Sequence, residues 1–176
     1  SHNGQGLYRD SVLANGRVYM APYGTELVAI VDPANVSAVR LENLDDNATY
    51  FVSALLAPDG RIWMTPSRTI YMKMGVMDPL GLVQTTTAPL NYKSIDIDWG
   101  GTDQAFCDAV LANNGHIYMI PRHADVSGDF DIASESFQTI DISGSNMMMD
   151  HDTVSCDCHV HDRLGRVPWC PARLPC

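Results

Sequence analysis

Three stretches of the chain alternate large apolar and polar side chains in the same way: "NGRVYMAP" (Asn15–Pro22), "DGRIWMTP" (Asp59–Pro66) and "NGHIYMIP" (Asn114–Pro121). Each opens on an Asn-Gly or Asp-Gly signal, or a near relative, suited to the positive φ of a tight hairpin turn. Each then alternates as a strand and stops at a proline, which cannot donate to a β-ladder. A short apolar strand precedes each turn, in "YRDSVLA" (Tyr8–Ala14), "FVSALLA" (Phe51–Ala57) and "FCDAVLA" (Phe106–Ala112). The shared order is an aromatic, any residue, Asp or Ser, a small residue, Val or Leu, and Leu-Ala. A third strand is predicted at Glu26–Pro33, Ile70–Pro79 and Asp125–Ser134, and a fourth at Val36–Leu44, Tyr92–Asp98 and Phe137–Ser143.

Four short antiparallel strands in a unit of this length are the signature of a β-propeller blade. The expected fold is therefore all-β, a propeller-like array of four-stranded antiparallel blades. Three clear repeats, at about 7–44, 50–99 and 105–143, account for residues 1–143. Residues 144–176 are a degenerate fourth repeat or a Cys/His-rich C-terminal segment: "LGRVPWCP" (Leu164–Pro171) keeps Gly, Arg, Val and the later Pro, while "CDCHVHDR" stands where an apolar strand is expected. The small and polar stretch Gly81–Asn91 reads as an inserted loop. Both faces of a blade pack on neighbours, so the second strand carries apolar residues on both sides.

The wording "LAPDGRIWMTP" followed by "VMDP" resembles the repeats of NHL and SMP-30 propellers, and more loosely kelch blades, across Tyr8–Ser143. The double glycine of kelch is absent from the phrase, and the Trp-Asp order of WD40 blades is reversed at Asp98-Trp99. The resemblance implies a propeller architecture. SMP-30-like lactonases hold a divalent metal at the central channel, so the resemblance also implies a metal-dependent hydrolase as the alternative function.

Composition narrows the partners. Of 176 residues, 45% are hydrophobic and 18% charged, a globular balance, and the net charge of −10 with scattered basic residues argues against nucleic acid. No apolar run is long enough to span a bilayer as a helix. The chain opens at "SHNGQG" without Met, which suggests a processed form, a fragment or a tag scar. Two glycosylation sequons, at Asn35 and Asn47, favour an extracellular or surface-associated protein over a cytoplasmic one.

Chemistry-bearing residues fall into four groups. Asp32 and Asp78 end apolar strands before Pro, and Asp96, Asp98 and Asp141 sit in Ile-Asp pairs; turn and strand-end roles are expected for them, ahead of acid–base or metal chemistry. Tyr19, Trp63 and Tyr118, each followed by Met, are expected to pack in cores. His116 fills a slot held elsewhere by Arg17, Arg61 and Arg166, and reads as a polar, partly exposed strand position. The loops after the recurring Pro carry the candidate ligand-binding residues: Tyr23, Glu26, Ser67, Arg68, Arg122, His123 and Asp125.

The C-terminal segment holds the candidate metal ligands His151, Cys156, Cys158, His159 and His161, with zinc the ion to test. Disulfide pairing among Cys156, Cys158, Cys170 and Cys176, or their remaining plain free thiols, is the favoured alternative, and Cys107 stands apart. No phosphate-binding glycine loop, nucleophile elbow or His-Glu-x-x-His motif is present. The expected function is a non-catalytic scaffold or binding protein. It recognises a protein or glycan, or serves as a subunit whose ring is completed by another copy or a neighbour. The alternatives are the SMP-30-like hydrolase and an extracellular or virion surface structural protein.

Overall fold

A computed structural model describes residues 7–44, 50–67, 72–79, 91–101, 105–122 and 124–143, with side chains in these ranges except at 37–40 and 42. The described chain forms strands and turns only. The first sheet comprises β1 (Tyr8–Ala14), β2 (Arg17–Pro22), β3 (Leu27–Asp32) and β4 (Asn35–Asn43). The second comprises β5 (Phe51–Leu56), β6 (Ile62–Pro66), β7 (Lys73–Asp78) and β8 (Asn91–Asp96). The third comprises β9 (Phe106–Leu111), β10 (His116–Pro121), β11 (Val126–Asp131) and β12 (Ser136–Asp141). Each sheet is an antiparallel meander in sequence order. The predicted strands are all present, displaced at their ends by a few residues. Asn91, predicted in the inserted loop, opens β8.

The turn chemistry works as its residues require. Asn15 and Gly16 both have positive φ, 49° and 73°, the two-residue hairpin that suits strand twist. The other two blades insert one residue, and only the glycine turns left-handed there, Gly60 and Gly115 bonding back to Ala57 and Ala112.

Strand β5 packs against β1 on one side and β9 on the other, so the first strands of the blades stand side by side around a common axis. Two apolar cores result. Tyr19, Ile30, Phe51, Ile62, Met64 and Met77 fill the one between the first and second blades. Trp63, Met74, Phe106, Ile117, Met119 and Phe130 fill the one between the second and third. Tyr19 and Trp63 face the next blade in sequence, Met64 and Met119 face the preceding one, and Met20 and Tyr118 occupy the same sides of the first and third blades.

Position in the array therefore decides exposure. All five residues of β6 are buried, because the second blade is covered on both faces. Tyr19 and Trp63 are buried, as expected of core residues, but Tyr118 faces outward from the third blade and is only half-buried. Met64 and Met119 are buried, and Met20, on the uncovered face of the first blade, is half-buried. That face also exposes Leu13 and Leu41.

The recurring Met has a recurring partner. Met20 pairs across the sheet with Ala29, Met64 with Gly75 and Met119 with Gly128. A Cβ on Gly75 would lie 2.9 Å from the Phe51 ring and 3.0 Å from the Met64 methyl. One on Gly128 would meet Phe137, the Met119 sulfur and Phe106. In the second and third blades the aromatic that opens the first strand and the Met of the second strand thus lie over a position that must be small.

Candidate functional site

Asp or Ser occupies the third position of every first strand, and these residues join the blades. The Asp10 carboxylate accepts the N–H of Ser11 through Oδ1 (2.7 Å) and, through Oδ2, the N–H of Ala54 in the next blade (2.8 Å). The Ser53 hydroxyl donates to Oδ1 of Asp108 in the third blade (2.6 Å), and that oxygen also accepts the N–H of Ala109 (2.8 Å). Ser53 is fully buried, Asp10 and Asp108 half-buried. Sequence reasoning recorded this position in the repeat pattern without giving it a role. Its partners lie a whole repeat away and cannot be read locally.

The rim that carries the predicted ligand-binding loops is built by a second repeated device. The N–H just past each Pro donates to the carbonyl just before the first strand: Tyr23 to Leu7 (2.8 Å), Ser67 to Tyr50 (2.9 Å) and Arg122 to Ala105 (2.8 Å). The chain leaving the fourth strand closes the same loops from the other side. Leu44 donates to Glu26 (3.1 Å), Ile97 to Met72 (2.9 Å) and Ile142 to Asp125 (2.9 Å). Tyr23, Ser67 and Arg122 are therefore equivalent positions, as are Glu26, Met72 and Asp125. At constant backbone geometry the side chains differ from blade to blade.

Of the predicted rim residues, Glu26 and Asp125 are exposed and Tyr23 and Arg122 half-buried. Ser67 is fully buried, and its hydroxyl, like that of Thr65, has no hydrogen-bond partner among the described residues. Arg68 and His123 lie outside the described residues. The Tyr23 ring stands edge-on to Tyr50 (5.7 Å, 90°), with the Arg9 guanidinium 5.1 Å from its centroid. Beside this cluster a shallow depression is lined by Gly24, Thr25, Glu26 and Leu27. Arg9 and Tyr50 were not picked out in the sequence, because both precede the loops by position and join them only through the closure of the rim.

Of the recurrent aspartates, Asp32, Asp98 and Asp141 take the turn roles expected of them, and Asp131, at the position equivalent to Asp32, does the same. Asp32, Asp98, Asp131 and Asp141 each accept a backbone N–H two residues on, from Ala34, Gly100, Ala133 and Ser143. Asp96 lies 3.9 Å from Lys73, and Asp78 ends β7 at the position equivalent to Asp32.

The third blade departs from the repeat on its outward face. His116 Nδ1 lies 2.7 Å from Oδ1 of Asp129, and Gln138 donates to Oδ2 (2.8 Å). Asp129 is buried and stands opposite Tyr118, where the other blades set Ile30 opposite Tyr19 and Val76 opposite Trp63. His116 stacks on Tyr118, as Arg61 lies over Trp63 in the second blade. In the second and third blades the His/Arg slot thus caps the aromatic ring two residues on.

A channel metal of the lactonase type does not fit the donor set described. The inner carboxylates accept N–H and O–H groups from their own and neighbouring strands. Among the described residues no group of three His, Cys, Asp or Glu side chains could hold a metal ion. His151, Cys156, Cys158, His159 and His161 lie outside the described residues. Cys107 is buried, with its sulfur 3.8 Å from the Pro121 carbonyl. No helix among the described residues is long and apolar enough to cross a membrane.

No protein-family model matches the chain, and no curated protein matches it by sequence. Solved structures match it by shape. Virginiamycin B lyase from Staphylococcus aureus aligns with a TM-score of 0.57 at 12% identity, over 78% of this chain and 42% of that one. The extracellular domain of a protein assigned to the one-component systems of B. thetaiotaomicron aligns with a TM-score of 0.58 at 13% identity, over 80% of this chain and 17% of that one. The chain thus spans less than half the length of either. At such identities the likeness is one of fold, and the fold is of the β-propeller type.

Proposed function

We propose that the chain is a non-catalytic β-propeller-type scaffold that recognises a glycan or protein through its rim loops, and that another copy or a neighbouring subunit completes its ring. One observation carries the reading: the rim holds its backbone by the same main-chain bonds in all three blades while its side chains vary, with Tyr23, Arg122, Glu26 and Asp125 reaching the surface and Ser67 and Met72, at the equivalent places in the second blade, buried. A constant frame with varied side chains is how loop-borne recognition is built. The Arg9–Tyr23–Tyr50 cluster adds aromatic surface beside an exposed carboxylate, a combination suited to a sugar ring and its hydroxyls.

The hydrolase reading has a specific observation in its favour, since Asp10 and Asp108 occupy one level of the first strands. Their bonds to Ala54 and Ser53 give both carboxylates a structural task, and this favours the scaffold. An extracellular or surface setting agrees with the exposed Asn35 sequon and with the extracellular neighbour in shape; a surface structural plate or a cytoplasmic setting are the competing outcomes.

The test is binding of the full chain to an immobilised glycan array, alongside Tyr23→Ala and Glu26→Ala. The reading predicts a defined set of bound glycans and a loss of roughly tenfold or more in affinity for each variant. Binding unaffected by both variants would overturn the rim assignment. Chelator-sensitive turnover of lactones or phosphoesters would overturn the non-catalytic reading.

A further inference from the structure

The third blade's outward face is built to receive another blade. Val110, Ile120 and Ile140 are 46%, 39% and 39% exposed there. In the first blade the equivalents of Val110 and Ile120 are Val12, which packs into the first core, and Ala21, which is buried; in the second they are Leu55, which packs into the second core, and Thr65, also buried. The same incompleteness appears at the atomic level in Asp108. Asp10 uses one oxygen for its own strand and the other for the Ala54 N–H of the following blade. Asp108 likewise uses Oδ1 for the N–H of Ala109, and for the Ser53 hydroxyl of the preceding blade. Its Oδ2 has no partner among the described residues. By the repeat, that oxygen faces the place where a following blade's first strand offers an N–H.

The sequence supplies a match. "DHDTVS" (Asp150–Ser155) repeats the core of the first-strand phrase, Asp then a small or hydroxyl residue then Val, as in "RDSVL" (Arg9–Leu13) and "CDAVL" (Cys107–Leu111). Asp152 follows Asp108 at the same interval, to within one residue, as Ser53 follows Asp10. By this alignment the fourth copy of the first-strand phrase precedes "CDCHVHDR", which separates it in the sequence from "LGRVPWCP".

We propose that the outward face of the third blade is the docking surface for this chain's own segment Asp150–Ser155, and that Oδ2 of Asp108 accepts the N–H of Thr153. The hydrogen bond repeats the one from Ala54 to Asp10, and Asp152 inherits the blade-joining position. The side of Thr153 takes the place of Ala54 and Ala109, small residues that lie against the preceding blade in both existing interfaces. The inference rests on the blade geometry and does not depend on what the rim binds.

Residue-resolved amide hydrogen exchange on the full chain tests it. The expected result is a Thr153 amide protected in the wild type, whose protection drops at least tenfold in Asp108→Ala while the Phe130 amide stays protected. Asp10→Ala serves as the calibrating variant, since it should expose Ala54 in the same way. Thr153 exchanging at the unstructured rate in the wild type would overturn the proposal, whether or not Asp108→Ala folds. So would a Thr153 amide indifferent to Asp108→Ala when Ala54 responds to Asp10→Ala. Protection that fades on dilution would also overturn it, because the occupant would then come from a second copy.

Discussion

Trp63 and Tyr118 are written into the same phrase, yet the first is fully buried and the second is not. The difference lies in what stands on the other side of the sheet, which no local pattern records. Trp63→Ala removes a ring that packs against Phe130 (5.2 Å between centroids) and carries the Arg61 guanidinium over its face, so it should destabilise by about 3–5 kcal/mol. Tyr118→Ala should cost less than that, because one docked segment covers the outward face of the third blade less fully than a whole blade covers Trp63. Urea unfolding midpoints of the two variants check this, and equal losses would mean that Tyr118 is covered as deeply as Trp63. The small partner of each Met shows the opposite case. Gly75 and Gly128 lie inside predicted strands with no sequence signal to explain them, and the approach of Phe51, Met64, Met119 and Phe137 shows why no side chain fits there.

At the scale of strands and turns, the sequence was legible wherever a bond is local. The Asn15-Gly16 hairpin, the Pro stops and the aspartate turns could all be read, because each partner lies within a few residues. Contacts between blades could not. Ser53 reaches Asp108 and Lys93 reaches Glu135 across a repeat, and neither pairing has a periodic signal. Glu135 sits at a left-handed turn (φ 54°) between β11 and β12, where it meets Lys93 and Arg61 of the second blade. The Lys93 hydrogen bond, with the Lys93 and Arg61 charges adding to it, holds the Glu135 carboxyl below the usual carboxylate range. A depressed folded-state value means the pair stabilises the fold above the unfolded value, near 4.3, and that this contribution is lost as pH falls through the folded value. Glu135→Gln should therefore lie below the wild type in stability at neutral pH and converge with it in acid. Thermal melts across that range would show parallel curves if the blade-to-blade pair contributed nothing. The pair is partly exposed, so salt should shrink the difference.

For the molecule as a whole, the repeat predicted the architecture because one unit cannot bury its faces alone. The same reasoning identifies the ends of the array as its unfinished parts. The second blade is apolar and buried on both sides. The first exposes Leu13 and Leu41 on its outer face, where Val18 and Met20 are half-buried although their equivalents Ile62 and Met64 are fully buried. The proposed docking of Asp150–Ser155 covers the third blade and leaves this face for another copy or a neighbouring subunit. The rim residues were legible as loops but not as a set. Their equivalence follows from main-chain bonds that appear only once the blades are assembled. The most direct measurement is the mass of the native protein in solution by light scattering. A blade array completed by its own copies should give a stable multiple of the 19.3 kDa chain, and Leu13→Asp together with Leu41→Asp should reduce it. A mass of one chain at every concentration, unchanged by those substitutions, would contradict the account.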